Sequence, residues 1–216
     1  MLILARMSMV AALTLAFSLP ANADPMRDLV KAAELDNPVV VRNSLSAGLS
    51  PNTIDPIAGE PILLLALREG SQQVVDVLLA RPDLQLELTA PNGNTALMMA
   101  AFKHNKAAVH ALLTKGAKVN RPGWSALHFA AASGDEAITR DLLARGAAID
   151  ARAPNEQTPL MVAAREGQEA TVQALLRAGA DAGLKSGDGY TAAQIAERAD
   201  KPRIVAMITQ SVANGK

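Results

Sequence analysis

The sequence predicts an all-α solenoid of stacked helix-turn-helix units joined by hairpin-like loops, and three observations carry that prediction. Similar segments recur along the chain: Leu29, Leu63, Leu97, Leu127, Leu160 and the equivalent Ala193 lie 34, 34, 30, 33 and 33 residues apart. Half of the 216 residues are apolar but only 2% are aromatic, so Ala and Leu dominate the core, as closely packed helices require. Glycines stand where each predicted helix must end in a left-handed residue: Gly70, Gly134 and Gly167 after the first helix of a unit, Gly48, Gly116, Gly146 and Gly179 after the second.

Taken in chain order, the first segment is an export signal. Arg6 provides a positive start, Met7 to Leu19 form an apolar run, and Pro20 precedes Ala21-Asn22-Ala23, an A-x-A cleavage pattern. The run is shorter than the roughly 18–20 residues that span a bilayer, which argues against the alternatives of an uncleaved anchor or a buried core helix. Residues 1–23 are therefore expected to be a cleavable signal peptide, and the mature chain 24–216 to begin at Asp24.

Repeating units follow at about 26–54, 55–88, 89–120, 121–150, 151–183 and 184–210. Asp24-Pro25 should start the first helix, with Asp as N-cap and Pro in the first turn. Asn43 and Ser44 replace apolar residues there, as a polar end cap requires. The second unit carries Pro82 and an insertion near Arg81 to Leu86, so its closing turn must differ. The later units share an unmistakable core: Gly93 to Ala101 (GNTALMMAA), Gly123 to Ala131 (GWSALHFAA), Gln157 to Ala164 (QTPLMVAA) and Gly189 to Ala196 (GYTAAQIA). Each is followed by a second apolar stretch, such as Val109 to Leu113, Ile138 to Leu143 or Val172 to Leu176. Three units lack the inter-helix glycine and place Asp36, His104 and Asp200 there, types that tolerate the left-handed region. The fourth loop is short, with only Arg121 and Pro122 between Asn120 and Gly123. Glu197 and Arg198 break the Ala-Ala pattern in the last unit, and the tail from Ser211 to Lys216 is expected to fray.

These segments resemble the ankyrin repeat, whose pattern is G-x-T-P-L-H-x-A-A followed by x-x-G, V-V-x-x-L-L and x-x-G-A-x-V-N. The resemblance covers about residues 26–210. It implies a protein-binding surface made by the hairpin tips and the exposed side of the first helices. On this chain those positions include Ile57, Ala58, Glu60, Asn94, Ser133 and Gln157, and above all Arg68, Glu69, Phe102, Lys103, Trp124, Arg165, Glu166 and Tyr190. The chain beyond residue 23 has four aromatics; Phe129 falls on a core position, while Phe102, Trp124 and Tyr190 fall on the binding side, where aromatic residues serve as interface anchors. Trp124 has two readings: it anchors a partner, or its indole fills the space left by the shortened loop.

Other classes of function find little support. Lys+Arg and Asp+Glu are both 21, so no net charge points to nucleic acid or an anionic membrane. Cysteine is absent, which removes disulfides, thiolate metal sites, thiol catalysis and lipid anchoring through an N-terminal Cys. There is no phosphate-cradling loop or nucleophile elbow. His128 matches the family histidine, for which the resemblance implies a backbone hydrogen bond between repeats. Met98, His128 and Met161 form a column across three repeats; a Met/His site for a metal or oxidant is a remote alternative to simple gap filling. The expected function is thus non-enzymatic and without cofactor: a bacterial periplasmic scaffold or adaptor, monomeric, holding another protein on its concave face. The runner-up is an inhibitor or immunity-type protein that blocks an enzyme; release from the cell is the alternative location.

Overall fold

The computed structural model describes residues 24–214. The expected signal peptide, residues 1–23, lies outside the described residues. Among those described are twelve helices and no strand longer than an isolated bridge. The helices are α1 (Pro25–Glu34), α2 (Pro38–Ser46), α3 (Ile62–Glu69), α4 (Gln72–Leu79), α5 (Ala96–Phe102), α6 (Lys106–Thr114), α7 (Ala126–Ser133), α8 (Glu136–Ala144), α9 (Pro159–Glu166), α10 (Glu169–Arg177), α11 (Ala192–Arg198) and α12 (Pro202–Asn214). Odd and even helices pair within a unit, and the units stack.

None of these helices is long enough to be stable alone, so burial between units must hold them. The leucines that define the repeat, Leu29, Leu63, Leu97, Leu127 and Leu160, are all at most 3% exposed; the equivalent Ala193 is only half-buried. The small pairs Ala100-Ala101, Ala130-Ala131 and Ala163-Ala164 are fully buried and let the odd-numbered helices approach side by side.

Local chemistry ends the helices where expected. Asp24 caps α1, its carboxylate accepting from the N–H groups of Met26 and Arg27 at 3.0 and 3.4 Å. Asp36, His104 and Asp200 take φ of 51°, 57° and 55°, matching the left-handed Gly70, Gly134 and Gly167. Asp36 does more: its carboxylate accepts from Val74 N at 3.0 Å, tying the first unit to the second. A fourth left-handed non-glycine, Glu156 (φ 57°), takes the place of the tip glycine in the fifth unit, and Arg152 grips its carboxylate at 3.0 Å.

Hairpin tips close through a backbone bond in four units: Asp55 N to Glu60 O, Ala90 N to Asn94 O, Ala153 N to Gln157 O and Ser186 N to Tyr190 O, at 2.8 to 3.0 Å. The shortened loop before α7 has no such bond, and its apex residue Gly123 leads directly into Trp124. This is also where the outer layer opens. Helices α2, α4 and α6 touch in sequence, as do α8, α10 and α12, but α6 and α8 barely approach each other, although their partners α5 and α7 pack closely. Asn120 bridges the junction instead, donating to Gly146 O and accepting from Ala148 N, each at 2.8 Å.

One expectation about the ends is corrected and one is qualified. The tail does not fray at Ser211: α12 runs on to Asn214, because Ile204 and Ile208 are buried and no breaker occurs before Gly215. The first unit exposes Asn43 as a polar cap should, yet it also leaves Leu35 and Val39 more than half exposed. Those two sit beside the inter-helix turn, where the other units place Glu69, Lys103, Gln73 and Ala107, all exposed as well.

Two hydroxyls break the apolar rule of the outer layer. Thr139 and Thr171 are fully buried, and neither Oγ1 has a hydrogen-bond partner. At the same places in neighbouring helices stand Val75, Val109 and Val172, or Val74 and Ile138. An unpaired buried hydroxyl costs about 1–3 kcal/mol. Thr139→Val and Thr171→Val are therefore each expected to raise the unfolding free energy by about 1 kcal/mol in urea titrations. A loss of stability in both would show that the hydroxyls are satisfied, for example by a buried water.

Candidate functional site

Three registers on the odd-numbered helices and their preceding tips build one continuous face. The tip register holds Glu60, Asn94, Trp124, Gln157 and Tyr190; eight residues on, at the end of each helix, stand Arg68, Phe102, Ala132, Arg165 and Arg198. The next residues are Glu69, Lys103, Ser133, Glu166 and Ala199. A tip side chain and the helix-end side chain eight later point at each other across the hairpin. Three units use this to lock an arginine. Arg68 donates to Glu60 at 3.1 Å, Arg165 to Gln157 Oε1 at 2.9 Å, and Arg198 to Tyr190 Oη at 3.3 Å while stacking 4.6 Å from the ring centroid.

The two middle units lack that arginine and hold aromatic rings instead. Phe129 is the hub: Phe102 meets it edge-on at 6.1 Å and 85°, and Trp124 does so at 6.5 Å and 79°. Trp124 also packs edge-on against His128 at 5.3 Å. These rings, with Val162 and Arg165, line a hollow of about 270 Å³. A second hollow of the same size lies between Arg165, Tyr190 and Arg198, and a third is bounded by Phe102, Lys103 and Glu166.

Most of the residues expected to form a binding surface do share this face. Phe102, Trp124 and Arg165 converge on the first hollow, Arg165 and Tyr190 on the second, and Lys103 and Glu166 on the third. Arg68 and Glu69 occupy the equivalent registers on α3, exposed but tied to Glu60 and to one another. Three placements are corrected. Glu60, expected on an exposed tip, is 8% exposed, because Arg68 draws its carboxylate inward. Ser133 is half-buried and donates to Ala101 O and Ala130 O. Phe129, expected in the core, is only half-buried: its ring is too large for a site filled elsewhere by Leu65 or Val162, and it emerges as the floor of the hollow. The Trp124 indole is wedged against Phe129 and His128 and still lines the open hollow.

The Met/His column has a structural role. Met98 Sδ accepts from Thr95 N at 3.4 Å, His128 Nδ1 from Ser125 N at 3.2 Å, Met161 Sδ from Thr158 N at 3.5 Å and Gln194 Oε1 from Thr191 N at 2.9 Å. Each is the third helical residue reaching back to its own N-cap, a capping box built with whatever acceptor is available. His128 uses its other nitrogen too: Nε2 donates to Gln157 O at 3.0 Å, joining α7 to the next unit. Among the described residues no three His, Asp or Glu side chains are placed to hold a metal ion.

Burial lowers the pKa of His128 from 6.5, against the hydrogen bond to Gln157 O, which raises it. The folded chain thus keeps this imidazole neutral. Above pH 6.5 the unfolded chain is neutral here as well, so the full stability is present. As pH falls below 6.5, the unfolded chain binds a proton that the folded chain refuses, and stability drops until the folded value is passed. His128→Met, which places the neighbouring units' residue here, should remove this part of the decline in urea titrations below pH 6.5. An unchanged slope in the variant would place the dependence on other groups.

Comparison with known proteins agrees with this architecture. A family model described as ankyrin repeats (3 copies) matches residues 29–123 and again 127–214. The break between the two matches falls at the shortened loop. The ankyrin repeat domain of human ASB11, solved as a crystal structure, is similar with a TM-score of 0.76 over 85% of this chain and 82% of that one, at 25% identity. The human transient receptor potential cation channel subfamily A member 1 is 34% identical over 109 residues, which is 49% of this chain. This chain spans only 10% of that channel's length. Repeat register, helix pairing and these matches agree: the chain belongs to the ankyrin-repeat family.

Proposed function

We propose that this chain is a non-enzymatic scaffold or adaptor that holds another protein across the concave face formed by its hairpin tips and odd-numbered helices. Ankyrin repeats are generally protein–protein interaction modules, and the observation that carries the reading here is the Phe102–Phe129–Trp124 cluster. Three of the four aromatic rings beyond residue 23 meet at one open hollow instead of in the core, next to Arg165, which its own tip holds ready. Such a surface is preorganised, so a partner pays little ordering entropy on docking. Phe102, Lys103, Trp124, Arg165, Glu166 and Tyr190 form its centre, with Arg68 and Glu69 at one end. The N-terminal pattern of residues 1–23 supports export to the periplasm, and no described helix is long and apolar enough to cross a membrane. The chain acts as a monomer carrying six repeats.

In-cell photo-crosslinking from Phe102, Trp124 and Tyr190, with the exposed Gln173 on α10 as control, tests this reading. One protein captured from the three positions and not from Gln173 is the expected result. The same background at all four positions would mean that the rings are purely structural.

A further inference from the structure

We propose that the hollow bounded by Phe102, Trp124 and Phe129 is a socket for one large apolar side chain of an extended partner segment that carries a carboxylate beside it. The proposal rests on the protein-binding reading and specifies what the partner must present. Size comes first. At about 270 Å³ the hollow has room for a single large side chain. Its walls are aromatic and aliphatic, with Phe129 as floor, Phe102 and Trp124 as sides and Val162 at the back. An apolar group seated there gives up much of its contact with water.

Charge sets what stands beside that group. No carboxylate lines the hollow, and one cation does, Arg165. Its guanidinium is already aimed: Nε donates to Glu166 at 2.9 Å and Nη1 to Gln157 Oε1 at 2.9 Å, while Nη2 makes no hydrogen bond among the described residues. Glu166 offsets part of the guanidinium's charge, so a partner carboxylate is selected by the directed hydrogen bond that Nη2 can donate. Arg121 does not line the hollow but is anchored through Gly93 O at 3.0 Å, between Asn92 and Asn94, which do. Asn92 spends its Oδ1 on Asn94 N at 3.0 Å, so its Nδ2 stays available to donate to a partner carbonyl. An apolar anchor flanked by Asp or Glu meets the open Nη2 of Arg165, whereas one flanked by Lys meets a guanidinium.

Trp124 is the only tryptophan in the chain, so its emission reads the socket directly. The purified protein is titrated with three capped hexapeptides: Gly-Ser-Phe-Asp-Asp-Gly, the same with Ala for Phe, and the same with Lys for both Asp. The first is expected to give a saturable change in emission, and the other two to bind at least about tenfold more weakly. Arg165→Gln should erase the preference for Asp over Lys while keeping the preference for Phe over Ala. Phe102→Ala should abolish saturation. Both side chains are near half exposed, so neither variant threatens folding. No saturable change with the first peptide, equal responses to Asp and Lys, or an Arg165→Gln variant that still prefers Asp would each overturn the socket. Its failure is separable from that of the broader reading: crosslinks from the three aromatic positions can still capture a protein when no acidic peptide binds.

Discussion

Leu127→Ala is expected to lower the unfolding free energy by about 3 kcal/mol, within the roughly 2–5 kcal/mol that buried Leu→Ala changes cost. Leu127 is 1% exposed in the first turn of α7, and α7 is clasped on both sides by α5 and α9. Neither neighbour can collapse into the space without leaving its own partner, so most of the cavity should persist. The position matters as much as the volume. Stability in a stack is a sum of units and interfaces, and the interface just before this unit has little help from its outer helices α6 and α8. The loss should therefore weaken cooperativity as well. In urea, Trp124 emission and the helical circular dichroism signal are expected to change together in the unmodified protein. In the variant, the emission change should come first, because Trp124 reports the damaged junction. A coincident shift of both signals by under about 1 kcal/mol would mean that the junction repacks freely.

The second large effect is at Gly134. Its φ of +82° already disfavours any side chain, by about 1–2 kcal/mol. A Cβ at this point would also overlap the carboxamide of Gln168. That carboxamide is in use: Nε2 donates to Ala132 O at 3.1 Å and links the fourth unit to the fifth. Gly134→Ala must expel it, so the total cost is expected at about 2–3 kcal/mol. Gly146 has the same φ of +82° and open space around its missing Cβ, so Gly146→Ala should cost only about 1 kcal/mol. The comparison separates strain from collision. A double-mutant cycle completes it: with Gln168→Ala already present, Gly134→Ala should fall to the Gly146 level in denaturation experiments. If it does not, the overlap is not what makes the site costly.

Such effects show how far the sequence could be read and where it stopped. Register was legible because identical structural positions carry similar chemistry. The leucine column, the left-handed Asp36, His104 and Asp200, and the cap at Asp24 all follow from local rules. Glu156 was missed since it replaces a glycine with a residue that gives no turn signal by itself; only its grip by Arg152 makes the conformation intelligible. Glu60 shows another limit. Its place on a tip suggests exposure, but burial was decided by a partner eight residues later. The aromatic site was half visible. Phe102 and Trp124 were found by position, while Phe129 was assigned to the core because its register is filled elsewhere by smaller side chains. Only packing shows that the ring outgrows that slot and gathers the other two. The column of Met98, His128 and Met161 was likewise seen as a column before its purpose, backbone capping, could be recognised.

The open junction between α6 and α8 has a mechanical consequence. Where both layers touch, bending the stack must compress or stretch packed side chains, which resist strongly. Between the third and fourth units the inner layer carries most of the load, helped by the Asn120 bridge and by Asp135, which faces His104 and Lys106 at 3.4 and 3.6 Å. The outer layer therefore offers less resistance to bending here than elsewhere, while the close packing of α5 on α7 keeps the inner layer together. The aromatic cluster straddles that junction, with Phe102 on one side and Trp124 and Phe129 on the other. Any change in the angle between the two halves would therefore be felt first as a change in the spacing of these rings.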